Sequence, residues 1–138
     1  KKLGERERSD KKIIIAEDSP LLRKLLHDTL TEAGFQRIDF FENGQEALAY
    51  LEGIVEANKD IKKEVQLLVT DIEMPQMDGH HLTKKIKTHP DLRKLPVIIF
   101  SSLITDDLRH KGEEVGAEDQ ISKPEIAELI LRMDQLIL

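Results

Sequence analysis

The chain has no cysteine. That excludes a disulfide framework, a thiolate metal site and a cysteine nucleophile, and it makes a reducing, cytoplasmic setting the expectation. Long apolar runs are missing as well. The longest, such as Ile13 to Ala16 and Val97 to Phe100, fall far short of the roughly 20 residues that cross a bilayer, so no membrane contact is expected. No apolar segment of the secretory kind follows the first residues. Positive charge is in deficit: the net charge is −6 and the pI near 5.4. Nucleic-acid binding through bulk charge is therefore not expected, because phosphate contacts need clustered Lys and Arg.

What is present is enough for one domain. A chain of 138 residues buries about two-thirds of the surface that its unfolded form exposes. Residues 1–10, KKLGERERSD, are charged and almost free of apolar side chains; they are read as a linker or tail, and the domain as residues 11–138. The first residue is Lys, which suits a piece of something longer.

The β-branched run Ile13 to Ala16 predicts a strand buried on both faces of a parallel sheet. Ser19 reads as an N-cap and Pro20 as the first helical residue, with Leu22, Leu25, Leu26, Leu30 and Ala33 at helical spacing before Gly34. A second strand is expected over Gln36 to Phe41. Asn43 with Glu46 forms a capping box ahead of Ala47, Leu48, Leu51 and Val55. Glu56 to Glu64 suits a helix end and a solvated loop. Leu67 to Thr70 gives the third strand, and Asp78 caps a third helix in which Met77 packs on Leu82 as a staple. Pro96 opens a fourth strand. A helix over about Thr105 to Val115 ends at Gly116, a short strand lies around Gln120 to Ser122, and Ile126, Leu129, Ile130, Met133, Leu136 and Ile137 line a last helix. Five alternations of strand and helix call for an α/β, doubly wound parallel sheet. In such sheets chemistry sits at the carboxyl ends of the strands.

There the residues are Glu17 and Asp18 after strand one, Asp71 after strand three, Ser101 and Ser102 after strand four, and Lys123 after strand five. Neighbouring carboxylates repel one another, and a hard cation resolves the conflict. Oxygen-only donors favour Mg²⁺, which takes one or two carboxylates and keeps several waters; Mn²⁺ is the alternative. Asp18 and Asp71 are the expected direct ligands. Glu17 is expected to act through water, its side chain pointing opposite to its neighbour's. Asp71 is the candidate nucleophile toward phosphorus. Mg²⁺, Lys123 and Ser101 would surround the oxygens of a transferring phosphoryl group.

Plainer readings stand beside these. Lys123 precedes Pro124 at an expected helix start, where a free cation opposes the macrodipole, and this favours a functional role over a solvated one. Asp78 is taken as a cap and Gly79 as a tolerated small residue. His80 and His81 face divergent directions, so no histidine metal site is expected.

The strings Ile14-Ile15-Ala16-Glu17-Asp18, Val69 through Gly79, Pro96 to Ser101 and Ser122-Lys123-Pro124 together resemble the receiver domains of response regulators. The resemblance covers about residues 11–138. It implies a flavodoxin-like (CheY-like) sheet of order 2-1-3-4-5, phosphorylation of Asp71 by a histidine kinase, and Mg²⁺ held by Asp18, Asp71 and the Glu73 backbone carbonyl. It also implies a switch in which Ser101 moves onto the phosphoryl group together with an aromatic residue on strand five. Here that position is Gln120, which must relay the change by hydrogen bonding or leave the coupling weaker. Phe100-Ser101-Ser102-Leu103, Asp119 through Glu125 and the charged insertion before strand three look like the receiver half of CheV chemotaxis proteins. That similarity implies phosphate taken from the kinase CheA, an upstream CheW-like coupling domain, and a role in tuning the chemoreceptor array or draining phosphate from it.

Two rivals differ in kind. An aspartyl-phosphate phosphatase would place a second Asp two residues after Asp71, where this chain has Glu73 and no room for a cap domain. A degenerate receiver would serve only as a binding surface, formed by Leu103, Ile104 and the helix that follows them. Glu73 and Ser102 flank the approach of a hydrolytic water and are candidate modulators of phosphoryl lifetime, as Gln120 is of the switch. The expected behaviour is a single phosphorylation event per chain, not enzymatic turnover.

Overall fold

The computed structural model describes residues 7–138. β1 (Lys12–Ala16) places alternate side chains in two apolar layers, Ile13 and Ile15 on one face and Ile14 and Ala16 on the other. α1 (Pro20–Glu32) starts where expected: the Ser19 hydroxyl accepts from the Leu22 N–H at 3.2 Å, and the chain leaves through Gly34 at a φ of 112°. β2 is Arg37–Phe41. α2 (Gly44–Glu56) is capped by Asn43, whose Oδ1 accepts from the Glu46 N–H at 2.8 Å.

The charged stretch expected as a loop instead contains a short helix, α3 (Ile61–Glu64), capped by Asp60 and holding Ile61 in the core. β3 (Leu67–Thr70) is wholly buried. α4 (Gly79–Lys87) is capped by Asp78, and Met77 and Leu82 share one apolar cluster, as a staple requires. β4 (Val97–Ser101), α5 (Asp106–Glu114), β5 (Asp119–Ser122) and α6 (Ile126–Ile137) complete the order.

All pairings are parallel, in the order β2-β1-β3-β4-β5. The chain runs outward from β1 to β2 and then crosses back to β3. The strand order therefore reverses between β1 and β3, and their carboxyl ends flank a crevice. α2 and α4 cover one face through Leu48, Leu51, Leu82 and Ile86, and α1 and α6 cover the other through Leu26, Leu30, Leu129 and Met133. Leu25, expected in the core, is 47% exposed, and Ile54 takes the buried place expected for Val55. A 3.6-residue period defines an apolar stripe but not its edges. Among the described residues no helix is long and apolar enough to cross a membrane.

Part of the segment read as a linker lies against this framework. Arg8 pairs with Asp134 of α6 through Nε and Oδ1 at 3.0 Å, donates from Nη1 to the Ala33 carbonyl at 2.8 Å, and lies over the Phe35 ring. Residues 1–6 of that segment lie outside the described residues.

Candidate functional site

Each strand end is aimed by the sheet. The Asp71 N–H donates to the Ala16 carbonyl at 3.0 Å, which draws the end of β3 alongside the end of β1. The Glu17 N–H donates to the Phe41 carbonyl at 2.9 Å, and Arg23 of α1 donates to the Glu17 carbonyl at 2.8 Å. Ser101 stands opposite Ser122 in the β4–β5 register, and the Lys123 N–H donates to the Ser101 carbonyl at 3.1 Å. The segments bearing Glu17, Asp71, Ser101 and Lys123 are thus held by backbone bonds before any side chain acts.

The side chains converge. Lys123 Nζ donates to Glu17 Oε1 at 2.8 Å and to Asp71 Oδ2 at 3.0 Å. Asp71 Oδ1 accepts from the Ile72 N–H at 2.7 Å, and Glu17 Oε2 accepts from the Ser19 N–H at 3.1 Å. Glu17 and Asp71 are buried while Asp18 is exposed, yet each of the three offers a carboxylate oxygen within 4.8 Å of the others. Glu17 and Asp18 were expected to point apart. They converge because β1 ends at Ala16, so strand alternation no longer governs them.

Burial pushes the Glu17 carboxyl above its ordinary range, reinforced by nearby Asp71 and opposed by the bonds from Lys123 and the Ser19 amide. Burial also works against the charge on Lys123. Its hydrogen bonds to Glu17 and Asp71 outweigh that and hold it above the ordinary lysine value. Three carboxylates around one ammonium leave an excess of two negative charges if all are ionised. An oxygen-only donor set with that excess, open to water on the Asp18 side, fits a hard divalent cation.

Lys123 is thus not a solvated loop lysine. It is doubly paired, and the following helix begins only at Ile126, after a cis Lys123–Pro124 peptide bond. Ser101 is buried, and its hydroxyl accepts from the Leu103 N–H at 3.1 Å. Ser102 and the Glu73 side chain are exposed, and Glu73 lines an open depression with Asp18, Ile72, Met74 and Asp78. Gln120 is buried and turned toward α5. His80 is buried and His81 exposed, so the pair does diverge.

Gly79, read as merely tolerated, is required. A Cβ there would stand 1.9 Å from the Asp71 carbonyl oxygen, and the Gly79 N–H bonds the Ile72 carbonyl at 2.9 Å. This is a close approach of backbone to backbone behind the central aspartate, which only glycine permits. Arg23 was also missed; no local pattern announces a side chain that reaches back six residues to a carbonyl.

Comparison with known proteins agrees with this geometry. The sequence profile of the response regulator receiver domain matches residues 13–134. The chemotaxis protein CheV3 of Helicobacter pylori is 30% identical over 113 residues, covering 81% of this chain and 36% of that protein. CheV2 of the same organism is 35% identical over 121 residues, covering 88% and 37%. The chain thus spans about a third of the length of these curated relatives. Among solved structures, the signal receiver domain of a histidine kinase from Syntrophus aciditrophicus superposes with a TM-score of 0.77 at 33% identity, covering 91% of this chain and 89% of that one.

Proposed function

The chain belongs to the response regulator receiver domain family, and from that premise we propose that it is a phosphoacceptor whose Asp71 takes a phosphoryl group from a histidine kinase. The observation that carries this reading is the Lys123 ammonium held between Asp71 and Glu17, with an oxygen of Asp18 in the same cluster. Asp71 Oδ2 is the attacking atom. It forms a P–O bond as the P–N bond to the donor histidine breaks, and the donor imidazole keeps the electron pair. On attack Oδ2 gives up its bond to Lys123, whose Nζ then serves the phosphoryl oxygens. The Ser101 hydroxyl supplies a further donor, and Asp71 Oδ1 stays fixed by the Ile72 amide.

Asp18, Asp71 and the Glu73 backbone carbonyl would hold Mg²⁺, or Mn²⁺ in its place, with Glu17 beside them. When bound, the cation neutralises the carboxylates and the charge on the incoming phosphoryl group. Glu73 and Ser102, both exposed at the mouth of the site, set the phosphoryl lifetime. One event per chain, without turnover, is the expected stoichiometry.

Likeness to CheV proteins supports a finer reading. The kinase is CheA, an upstream CheW-like domain couples the receiver to a chemoreceptor array in the cytoplasm, and residues 1–10 lead from that domain into the receiver at residues 11–138. In that setting the receiver tunes coupling or drains phosphate.

The test is mass spectrometry after acetyl phosphate treatment, with and without Mg²⁺, alongside Asp71→Asn. A metal-dependent gain of one phosphoryl group, lost in the variant, is expected. No gain under any condition would leave a binding module without phosphoacceptor chemistry.

A further inference from the structure

We propose that Gln120, seated against Gly112, is a positioning residue that latches α5 to the sheet, and that this latch sets how tightly the Asp71 site holds a phosphoryl group. The proposal rests on the phosphoacceptor reading and adds its regulation.

α5 has little apolar attachment. Its sequence is DDLRHKGEE, and its one buried residue is Gly112, which has no side chain to pack. What reaches it from the sheet is a carboxamide. Gln120 Nε2 donates to the Arg109 carbonyl, inside the helix, at 2.8 Å, and Gln120 is only 7% exposed. A Cβ on residue 112 would stand 2.3 Å from Gln120 Oε1, 2.6 Å from Cδ and 2.8 Å from Nε2. Gly112 is therefore the space that the whole amide occupies. Gln120 Oε1 is buried without a partner. From α4 comes a second polar group: His80, 2% exposed, faces the backbone of Leu108 and the charge of Lys111, and its Nε2 is also buried without a partner. α5 is thus held by few and replaceable contacts.

The latch is wired to the site. Gln120 stands opposite Ile99 and Ser122 opposite Ser101 in the β4–β5 register, so the Gln120 and Ser101 side chains lie on the same face of the sheet. The Ser101 hydroxyl accepts from the Leu103 N–H, at the start of the segment that runs to Thr105, the cap of α5. A phosphoryl oxygen that accepts a hydrogen bond from the Ser101 hydroxyl draws this approach toward the site, while Gln120 holds the middle of the helix in place. By linkage, a contact that resists displacement of α5 weakens binding at Asp71 by the same factor.

The experiment titrates beryllofluoride with Mg²⁺ into the wild-type chain, Gln120→Ala, Gln120→Leu, Gly112→Ala and the Gln120→Ala/Gly112→Ala double variant, and measures amide exchange over residues 106–114. Both Gln120 variants are expected to bind about fivefold more tightly and to exchange faster in α5 without ligand; the Leu variant keeps the volume and removes only the bond. Gly112→Ala, by expelling the amide, should act in the same direction, and the double variant should add nothing further. A loss that merely damaged the fold would weaken binding instead. If wild type binds beryllofluoride and the Gln120 variants bind no tighter, or if the two sites prove additive, the latch is wrong and the phosphoacceptor reading stands. If wild type binds none, both fall together.

Discussion

Lys123 Nζ lies 3.0 Å from Asp71 Oδ2, joining residues that are 52 apart in sequence. With side-chain exposures of 15% and 10%, this ion pair is largely withdrawn from water. Replacing Lys123 by Met leaves Asp71 and Glu17 buried, adjacent and uncompensated, and the expected loss of stability is about 1–3 kcal/mol at neutral pH. Urea denaturation measures it. Addition of Mg²⁺ should recover more stability in the variant than in wild type, because the cation takes over the neutralising role; equal recovery in both would mean that the lysine and the cation do not share the same carboxylates.

Glu17 makes stability depend on pH in an unusual direction. Its folded pKa is raised above the ordinary 4.5, first by burial, so folding favours the protonated form. Its contribution is fully present below about pH 4.5 and is lost as pH rises through the raised folded value. Glu17→Gln copies the protonated form at every pH and still offers Lys123 an oxygen. In the absence of Mg²⁺ the variant's urea midpoint should rise relative to wild type between pH 4 and pH 7. Parallel midpoint curves over that range would remove Glu17 as the source.

Gly79 and Gly53 form a matched pair, both within helices. A Cβ at residue 79 meets the Asp71 carbonyl oxygen at 1.9 Å, whereas one at residue 53 meets nothing within 4 Å. Gly79→Ala must push α4 away from the end of β3, at a cost of about 1–3 kcal/mol or more, and slow phosphorylation of Asp71 with it. Gly53→Ala should stabilise by about 0.5–1 kcal/mol through helix propensity and leave phosphorylation unchanged. Thermal melts and acetyl phosphate time courses of the two variants decide the matter; a harmless Gly79→Ala would show that α4 is free to shift.

This pair also marks the limit of what the sequence discloses. Ser19, Asn43 and Asp78 are caps whose side chains bond amides three residues away, so they are legible locally and the structure has them all. Ile13 to Ala16 and Leu67 to Thr70 are legible because strands buried on both faces read as unbroken apolar runs. The requirement at Gly79 comes from backbone 8 residues earlier brought close by the fold, and no pattern around Gly79 encodes it. The burial of His80, the exposure of Leu25 and the reach of Arg23 likewise depend on which neighbour covers each helix face. α3 was missed for a different reason: four residues are too few to show a period.

Arg8 was hidden in the same way, inside a stretch whose composition reads as solvated. Its guanidinium bonds Asp134 and the Ala33 carbonyl and covers the Phe35 ring at 5.5 Å, and the Arg8 and Asp134 side chains are 18% and 23% exposed. An ion pair of this exposure with a cation–π contact is worth about 1–2 kcal/mol together. Arg8→Ala should lower stability by that amount, and Asp134→Ala by somewhat less, because the Phe35 contact survives. The double variant should fall short of the sum by about 0.5–1 kcal/mol, the coupling of the pair. In 1 M salt the coupling should shrink while the Phe35 share persists, since screening acts on the charges and not on the ring. Simple additivity at low salt would mean that Arg8 does not engage Asp134.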